Sequence, residues 1–259
     1  MKNLFWVVVI VGSVFGVMVP GFYFNAASNL PSPLANRQQL LTLMRMQVES
    51  ARMKTALGLA PKDRGFVDWP DPELARFPSD FVALYLSQNG CPSFLRAPPE
   101  AKTGWSLRVL RGTWDGADGG SVGGRCKYLF AARLVGRLGI TGTLESAVAI
   151  HRVGNLLDHQ ELVAWDLTTV PLENGVIGLE QAISRAYKRP LAEMNLAELS
   201  EAVLLAPPNG FVTDIDRCQN PPLIRRARDE VLRQLAEDGL VTEASANAAQ
   251  QAEVACLRH

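Results

Sequence analysis

From Leu4 to Phe24 the chain carries no charged side chain and few polar ones. At about 1.5 Å of helix rise per residue, such a run reaches across a hydrocarbon core about 30 Å thick. A chain built this way is expected to be an anchor followed by a domain that folds in water. The run exceeds the roughly 7–15 apolar residues of a cleavable signal, which favours an uncleaved transmembrane helix. Ala26-Ala27-Ser28 nevertheless offers the small residues that cleavage would need. Lys2 ahead of the run supports an N-in, C-out orientation, while Arg37, Arg45, Arg52 and Lys54 soon after it pull the other way.

The 259 residues suit one medium domain beyond that anchor. Lys and Arg total 26, and so do Asp and Glu. With no excess of positive charge, a nucleic-acid partner is not expected. Residues 1–24 read as the anchor, 25–70 as a connector with a membrane-proximal helix, and 71–259 as the main domain. Within the connector Leu40, Leu41, Met44, Val48, Ala51 and Leu57 recur near helical spacing. Two readings are open for them: an amphipathic helix packed on the domain, or one lying at the membrane face. The Pro-rich break from Asp68 to Pro72 marks the domain boundary.

Cys91, Cys126, Cys218 and Cys256 are the cysteines, and an even number in an exported chain suits disulfides. Three pairings are open. The spacings are wide and lack Cys-x-x-Cys, so no zinc site is expected.

The C-terminal third reads as helices. Asn195-Leu-Ala-Glu198 has the form of a capping box, with Leu196, Leu199, Val203 and Leu204 as an apolar face and Pro207-Pro208 as the stop. Asn220-Pro-Pro opens the next helix, where Leu223, Val231, Leu232 and Leu235 form the expected buried stripe and Gly239 the end. Arg225, Arg226, Arg228 and Arg233 read as a solvated or ion-paired face.

An ordered set of segments runs through this half. Asp158-His-Gln-Glu-Leu-Val-Ala-Trp-Asp-Leu leads to Val170-Pro-Leu-Glu-Asn-Gly-Val-Ile-Gly-Leu-Glu-Gln-Ala. Tyr187-Lys-Arg-Pro, Ala202-Val-Leu-Leu-Ala-Pro-Pro, Asn220-Pro, Arg225-Arg-Ala-Arg-Asp-Glu-Val-Leu and Glu237-Asp-Gly-Leu-Val-Thr follow. In order and spacing this resembles the second half of family 51 glycosyltransferases, the peptidoglycan transglycosylase domain of penicillin-binding proteins and monofunctional transglycosylases. The resemblance covers roughly a third of the chain, from Leu156 to Leu240. It implies a mainly α, lysozyme-like domain on the outer side of the bacterial cytoplasmic membrane. It also favours Cys91–Cys126 with Cys218–Cys256, because each bridge then stays within one half of the resemblance.

Upstream the match changes character. Phe77-Pro-Ser-Asp-Phe-Val-Ala-Leu-Tyr-Leu-Ser is similar to the family helix that runs into Glu-Asp-x-x-Phe-x-x-His. That Glu is the family's proposed general base, taking a proton from the acceptor sugar's 4-hydroxyl, a task that needs a carboxylate. Here the chain reads Gln88-Asn-Gly-Cys-Pro-Ser-Phe94, with no acid between Asp80 and Glu100. Alignment on Pro78 puts Asn89 at the Glu position; alignment on Phe94 gives Asn89 or Gly90, and a looser fit gives Gln88. An amide cannot take up that proton.

The family's pyrophosphate-contacting segment, Gly-Gly-Ser-Thr-Ile-Thr-Gln-Gln, survives only as Gly119-Gly-Ser121, followed by Val-Gly-Gly-Arg125-Cys-Lys127. Ser121, Arg125 and Lys127 are the candidate phosphate contacts, with Gly-rich backbone offering N–H groups. A flexible loop with two solvated basic side chains is the competing reading. Glu145 falls where the family keeps a second glutamate, and reads equally as a helix N-terminal acid. The resemblance leaves room for a divalent cation such as Mg there; no other cofactor is expected. His151 and His159 flank a helical stretch. A Ser121–His151–Asp158 hydrolase set is disfavoured because no Gly-x-Ser-x-Gly elbow exists.

Three functions follow as expectations. The first is a transglycosylase-like protein that binds lipid II or a glycan strand with impaired or lost catalysis, alone or with cell-wall synthesis partners. The second is an active lipid II polymerase with a non-standard base such as Glu145. The third is a membrane-tethered interaction module without a ligand.

Overall fold

The computed structural model describes residues 25, 28, 34, 36–46, 72–98, 122–170, 178–204 and 221–255. The apolar run of 4–24, the break at 68–72 apart from Pro72, and Ser121, Cys218 and Cys256 lie outside them. Among the described residues no helix is long and apolar enough to cross a membrane. The described residues are mainly helical and contain no strand, in line with the expected α class.

Helix α1 covers residues 37–46. Asn36 caps it, its Oδ1 accepting from the Gln39 N–H at 2.9 Å. Leu40, Leu41 and Met44 are buried in the common core, which favours the domain-packed reading of this stretch over the membrane-face one. Arg37 pairs with Glu161, fastening α1 to a later helix.

The main body consists of α2 (Ser79–Gln88), α3 (Val122–Arg137), α4 (Thr143–Leu156), α5 (His159–Thr169), α6 (Leu179–Tyr187), α7 (Leu196–Val203), α8 (Pro221–Glu237) and α9 (Glu243–Gln251). Three of these start on local chemistry. Asp158 and Glu161 form a capping box for α5, Asn195 and Glu198 one for α7, and the Thr242 hydroxyl accepts from Ser245 N–H at α9. Gly178 precedes α6 at φ 87°, and a Cβ there would lie 2.8 Å from the Thr168 carbonyl oxygen, so both space and backbone demand glycine. Helix α8 ends as expected at Gly239, with Leu240 N–H reaching Leu235 O in a Schellman turn.

Helix α3 packs on α4 and α5, and α2 packs on α7 and α8; α9 covers α8 and α7. Helix α2 therefore has a neighbour group on each side, which explains why Phe81, Val82, Leu84, Tyr85 and Leu86 are all buried. Phe94 sits between Phe130 and His159, with ring centroids 5.3 and 4.3 Å away.

One expectation about α8 fails and a second holds only in part. Leu223 is 56% exposed, and Ile224 takes its place in the core at 3%. Arg228, expected on a solvated or ion-paired face, is ion-paired but fully buried. The end of α9 and the residue that follows it are the reason: Gln250 O and Ala252 O accept from Arg228 Nη2 and Nη1 at 2.8 and 2.9 Å. Nη1 also donates to Glu201 at 3.1 Å, and Glu201 Oε2 accepts from the Ala255 N–H. One cation thus binds α7, α8 and the C-terminal strap together. Arg233, by contrast, remains on the outside, paired with Glu230 and Glu237.

Candidate functional site

The segment that replaces the expected catalytic acid is the C-terminal end of α2. Gly90 stands at φ 66° beyond that helix, its N–H on Ser87 O, and Cys91 N–H reaches Leu86 O at 2.8 Å. This Schellman turn needs glycine at its left-handed position. It is fastened to the first turns of α3 in two ways. Arg125 Nη2 donates to Gly90 O at 2.8 Å, and Cys91 and Cys126 form a disulfide with Cα atoms 5.7 Å apart. The bridge joins residues 35 apart, a loop whose closure contributes about 3–4 kcal/mol by chain entropy. The expected Cys91–Cys126 pairing is therefore present; the partner pairing of Cys218 with Cys256 falls outside the described residues.

Asn89 is held inward by its amide. Its Nδ2 donates to Tyr85 O, and its Oδ1 accepts from Arg133 Nη2, both at 2.6 Å. Arg133 continues into a buried charged cluster that sequence reasoning did not anticipate. Its Nη1 donates to Asp166 Oδ2 at 3.2 Å, where the Tyr85 hydroxyl also donates. Arg137 Nη2 lies 2.6 Å from Asp166 Oδ1 off the hydrogen-bond line, while its Nη1 is aimed at Asp166 O and Thr169 Oγ1. Asp166 is wholly buried on α5, and two guanidiniums one helical turn apart on α3 compensate it. The signal available in the sequence was Asp166 inside the apolar run Leu-Val-Ala-Trp-Asp-Leu, since a carboxylate there must find a cation.

Burial first, then the Asp166 charge, push the Tyr85 phenol well above its ordinary 10. Its folded value exceeds its unfolded one, so this group contributes stability that is whole below pH 10 and lost as pH climbs beyond it. Thermal stability is expected to fall in that alkaline range less steeply in Tyr85→Phe than in the native chain. Equal slopes in melting experiments would refute this.

Gln88 is the other amide at the degenerate position. Its Oε1 is buried and accepts no hydrogen bond, an acceptor that a hydroxyl or water donor would satisfy. Neither Gln88 nor Asn89 meets Glu145 through any hydrogen bond or ion pair among the described residues. Glu145 lies in the first turn of α4, and its carboxylate folds back over Gly142, where a Cβ would come within 2.1 Å of Oε2. That is the position of a helix N-terminal acid.

The Gly-rich stretch also differs from its expected loop. Residues from Val122 onward are already helical, so Arg125, Cys126 and Lys127 project from α3. Gly123 allows this, because a Cβ there would come within 2.9 Å of the Ala97 Cβ. Arg125 is exposed and keeps further donors for an anion, whereas Lys127 is buried at 8% exposure near His151. Lys127 is therefore corrected from a solvated phosphate contact to part of the α3–α4 packing. Ser121 lies outside the described residues.

His151 sits within α4 and His159 opens α5, rather than flanking one helix. Burial, then the charges of Lys127 and Arg152, lower His151 below its ordinary 6.5. The Asp158 carboxylate is occupied in the α5 cap, which removes it from any hydrolase set. Among the described residues no three His, Cys, Asp or Glu side chains gather to hold a metal.

The arrangement organises more than it reacts. The one carboxylate of the Asp166 cluster is shared by two guanidiniums, and the Asn89 amide is held as a structural link. No family model matches the chain, and no curated protein matches it.

Proposed function

We propose that this protein is a membrane-tethered relative of the peptidoglycan transglycosylases that binds lipid II or a glycan strand without polymerising it. Its domain would be lysozyme-like and face the exterior of the cytoplasmic membrane. The observation that carries the reading is Asn89. Where the resembling family needs a carboxylate, this chain has an amide whose oxygen is occupied by Arg133 and whose nitrogen is occupied by Tyr85 O. General-base chemistry requires a group able to accept a proton within reach of the substrate, and the Asn89 amide is not one. The Asp238 carboxylate that meets the last turn of α2 accepts from the Ser87 hydroxyl at 3.2 Å instead of standing at the Asn89 position.

Two further features favour a retained ligand contact over a bare interaction module. Gln88 Oε1 has no donor among the described residues and is fully covered, so a sugar hydroxyl satisfies it only where the end of α2 opens. Arg125 is exposed at the turn that closes α2, one guanidinium nitrogen spent on Gly90 O and its other donors available to a pyrophosphate. Glu145 gains no support as a substitute base, since its carboxylate lies against its own helix terminus.

The test is direct. The full chain in detergent, given lipid II, is expected to form no glycan polymer while binding moenomycin, a ligand of the family's donor groove. Processive polymer would overturn the loss of catalysis. Absence of both polymer and inhibitor binding would overturn the ligand-binding reading in favour of the interaction module.

A further inference from the structure

We infer that oxidation of Cys91 and Cys126 is the step that assembles the candidate site, so that the reduced chain keeps its helical core but releases the segment Asn89–Cys91. The inference concerns the regulation of the site described above and rests on the proposed function only where a ligand is used as the readout.

The geometry places the bond at the one junction where the site is made. Cys91 ends the turn that closes α2, and Cys126 lies in the second turn of α3. Both are buried, at 1% and 0% exposure, and two thiols need van der Waals separation where the bridge needs a bond. Reduction therefore cannot leave this contact closed as it stands. Apart from the turn's own backbone bonds to α2 and the Phe94 N–H on Cys91 O, the polar ties of the segment are few: Arg125 to Gly90 O, Asn89 to Arg133, and Asn89 to Tyr85 O. The first of these comes from the turn beside Cys126, so it is lost if the α2 turn swings away from α3. The Asp166 cluster does not depend on the bridge, because Tyr85, Arg133, Arg137 and Asp166 all lie within helices. The core beyond the turn is thus expected to survive.

Burial also sets the order of events. Thiol–disulfide exchange needs an attacking thiolate to reach sulfur, and the closed structure denies that access. The bond must form while the α2 turn is still open, and once packed it is shielded from reductants. The chemistry balances simply. A protein or small-molecule disulfide oxidant is attacked by one cysteine thiolate to give a mixed disulfide. The second cysteine displaces it, and the oxidant ends as a dithiol, or as two separate thiols when it is an acyclic disulfide, having taken up two electrons and two protons. A chain retained among reducing thiols would then carry a folded but open site, and one delivered to an oxidising compartment a closed one.

The experiment uses the full chain in detergent in three forms: oxidised, refolded from denaturant under a phosphine reductant, and Cys91→Ala/Cys126→Ala. Hydrogen exchange is followed in peptides over 86–94, with peptides over 159–169 and 196–203 as internal controls. Both reduced forms are expected to retain helical circular dichroism and to exchange at least about tenfold faster over 86–94, with the controls unchanged. Unchanged exchange over 86–94, an equal rise in all peptides, or loss of the helical signal would each overturn the inference. Moenomycin affinity supplies the second arm, expected to fall about tenfold on reduction. Faster exchange with undiminished affinity would overturn the link to the site. Binding absent from the oxidised form as well would sink the proposed function, while the exchange arm alone would still decide the inference.

Discussion

Arg228→Met is expected to destabilise the fold by about 3–5 kcal/mol, a fall in Tm of roughly 10 °C or more. The size follows from what the substitution leaves behind. Glu201 is 1% exposed, and Arg228 is its only cationic partner among the described residues, 3.1 Å away. Methionine fills the volume but strands the carboxylate and the carbonyls of Gln250 and Ala252. Burial already raises the Glu201 carboxyl above its ordinary 4.5, opposed by the Ala255 N–H and Arg228. Removing Arg228 removes part of that opposition, so the carboxyl rises further. A raised acid is penalised above its folded pKa and relieved below it. The variant's deficit is therefore expected to shrink as pH is lowered through the acid range. Chemical denaturation at two pH values checks this, and a deficit that grows in acid would contradict the assignment. Arg228→Met combined with Glu201→Leu is expected to recover much of the loss, because both charges are then gone.

Asp166→Asn is the second large effect, expected at about 3 kcal/mol or more. The amide keeps the size of the side chain but presents N–H groups to guanidiniums that need an acceptor, and Arg133 and Arg137 lose their only shared anion. The one oxygen that the amide keeps must then be shared by the Tyr85 hydroxyl and the guanidiniums, where the carboxylate offered two. The loss is expected to reach the end of α2 through Arg133, so hydrogen exchange over 86–94 should quicken along with the global unfolding change. Arg133→Met in the Asp166→Asn background should cost little more, since the two act as one unit. Full additivity of the two would show that the cluster is not coupled.

What was legible in the sequence was local. Asn195-Leu-Ala-Glu198 and Gly239 announce a helix start and stop within a few residues, and both stand where expected. The helix within Phe77 to Ser87 was expected from the resemblance and not from a local signal, while the absence of an acid at its end is plain in the sequence. Elements whose state depends on distant partners were not. Val122 to Lys127 reads as a Gly-rich loop until Ala97 is seen pressing on Gly123, which turns flexibility into close packing. Arg228 reads as one of four surface arginines until the residues after Gln251 fold over it. Arg133 and Arg137 carry an i,i+4 spacing that marks one face of α3, but nothing local tells that Asp166 faces them.

The Arg228 clasp has a consequence for how the molecule is made. Ala255 follows Glu201 by 54 residues, and Arg228 follows it by 27. When α7 first emerges during synthesis, its buried glutamate has neither partner, and the helix behind the site cannot settle as it does in the finished fold. Helices α2 to α6 can gather around Asp166 earlier, because Tyr85, Arg133 and Arg137 precede it in the chain. Assembly from the N-terminal side is thus self-sufficient for one charged cluster and provisional for the other. A chain interrupted between Val203 and Arg228 would present its quality-control machinery with an exposed, unsatisfied acid beside a half-built core.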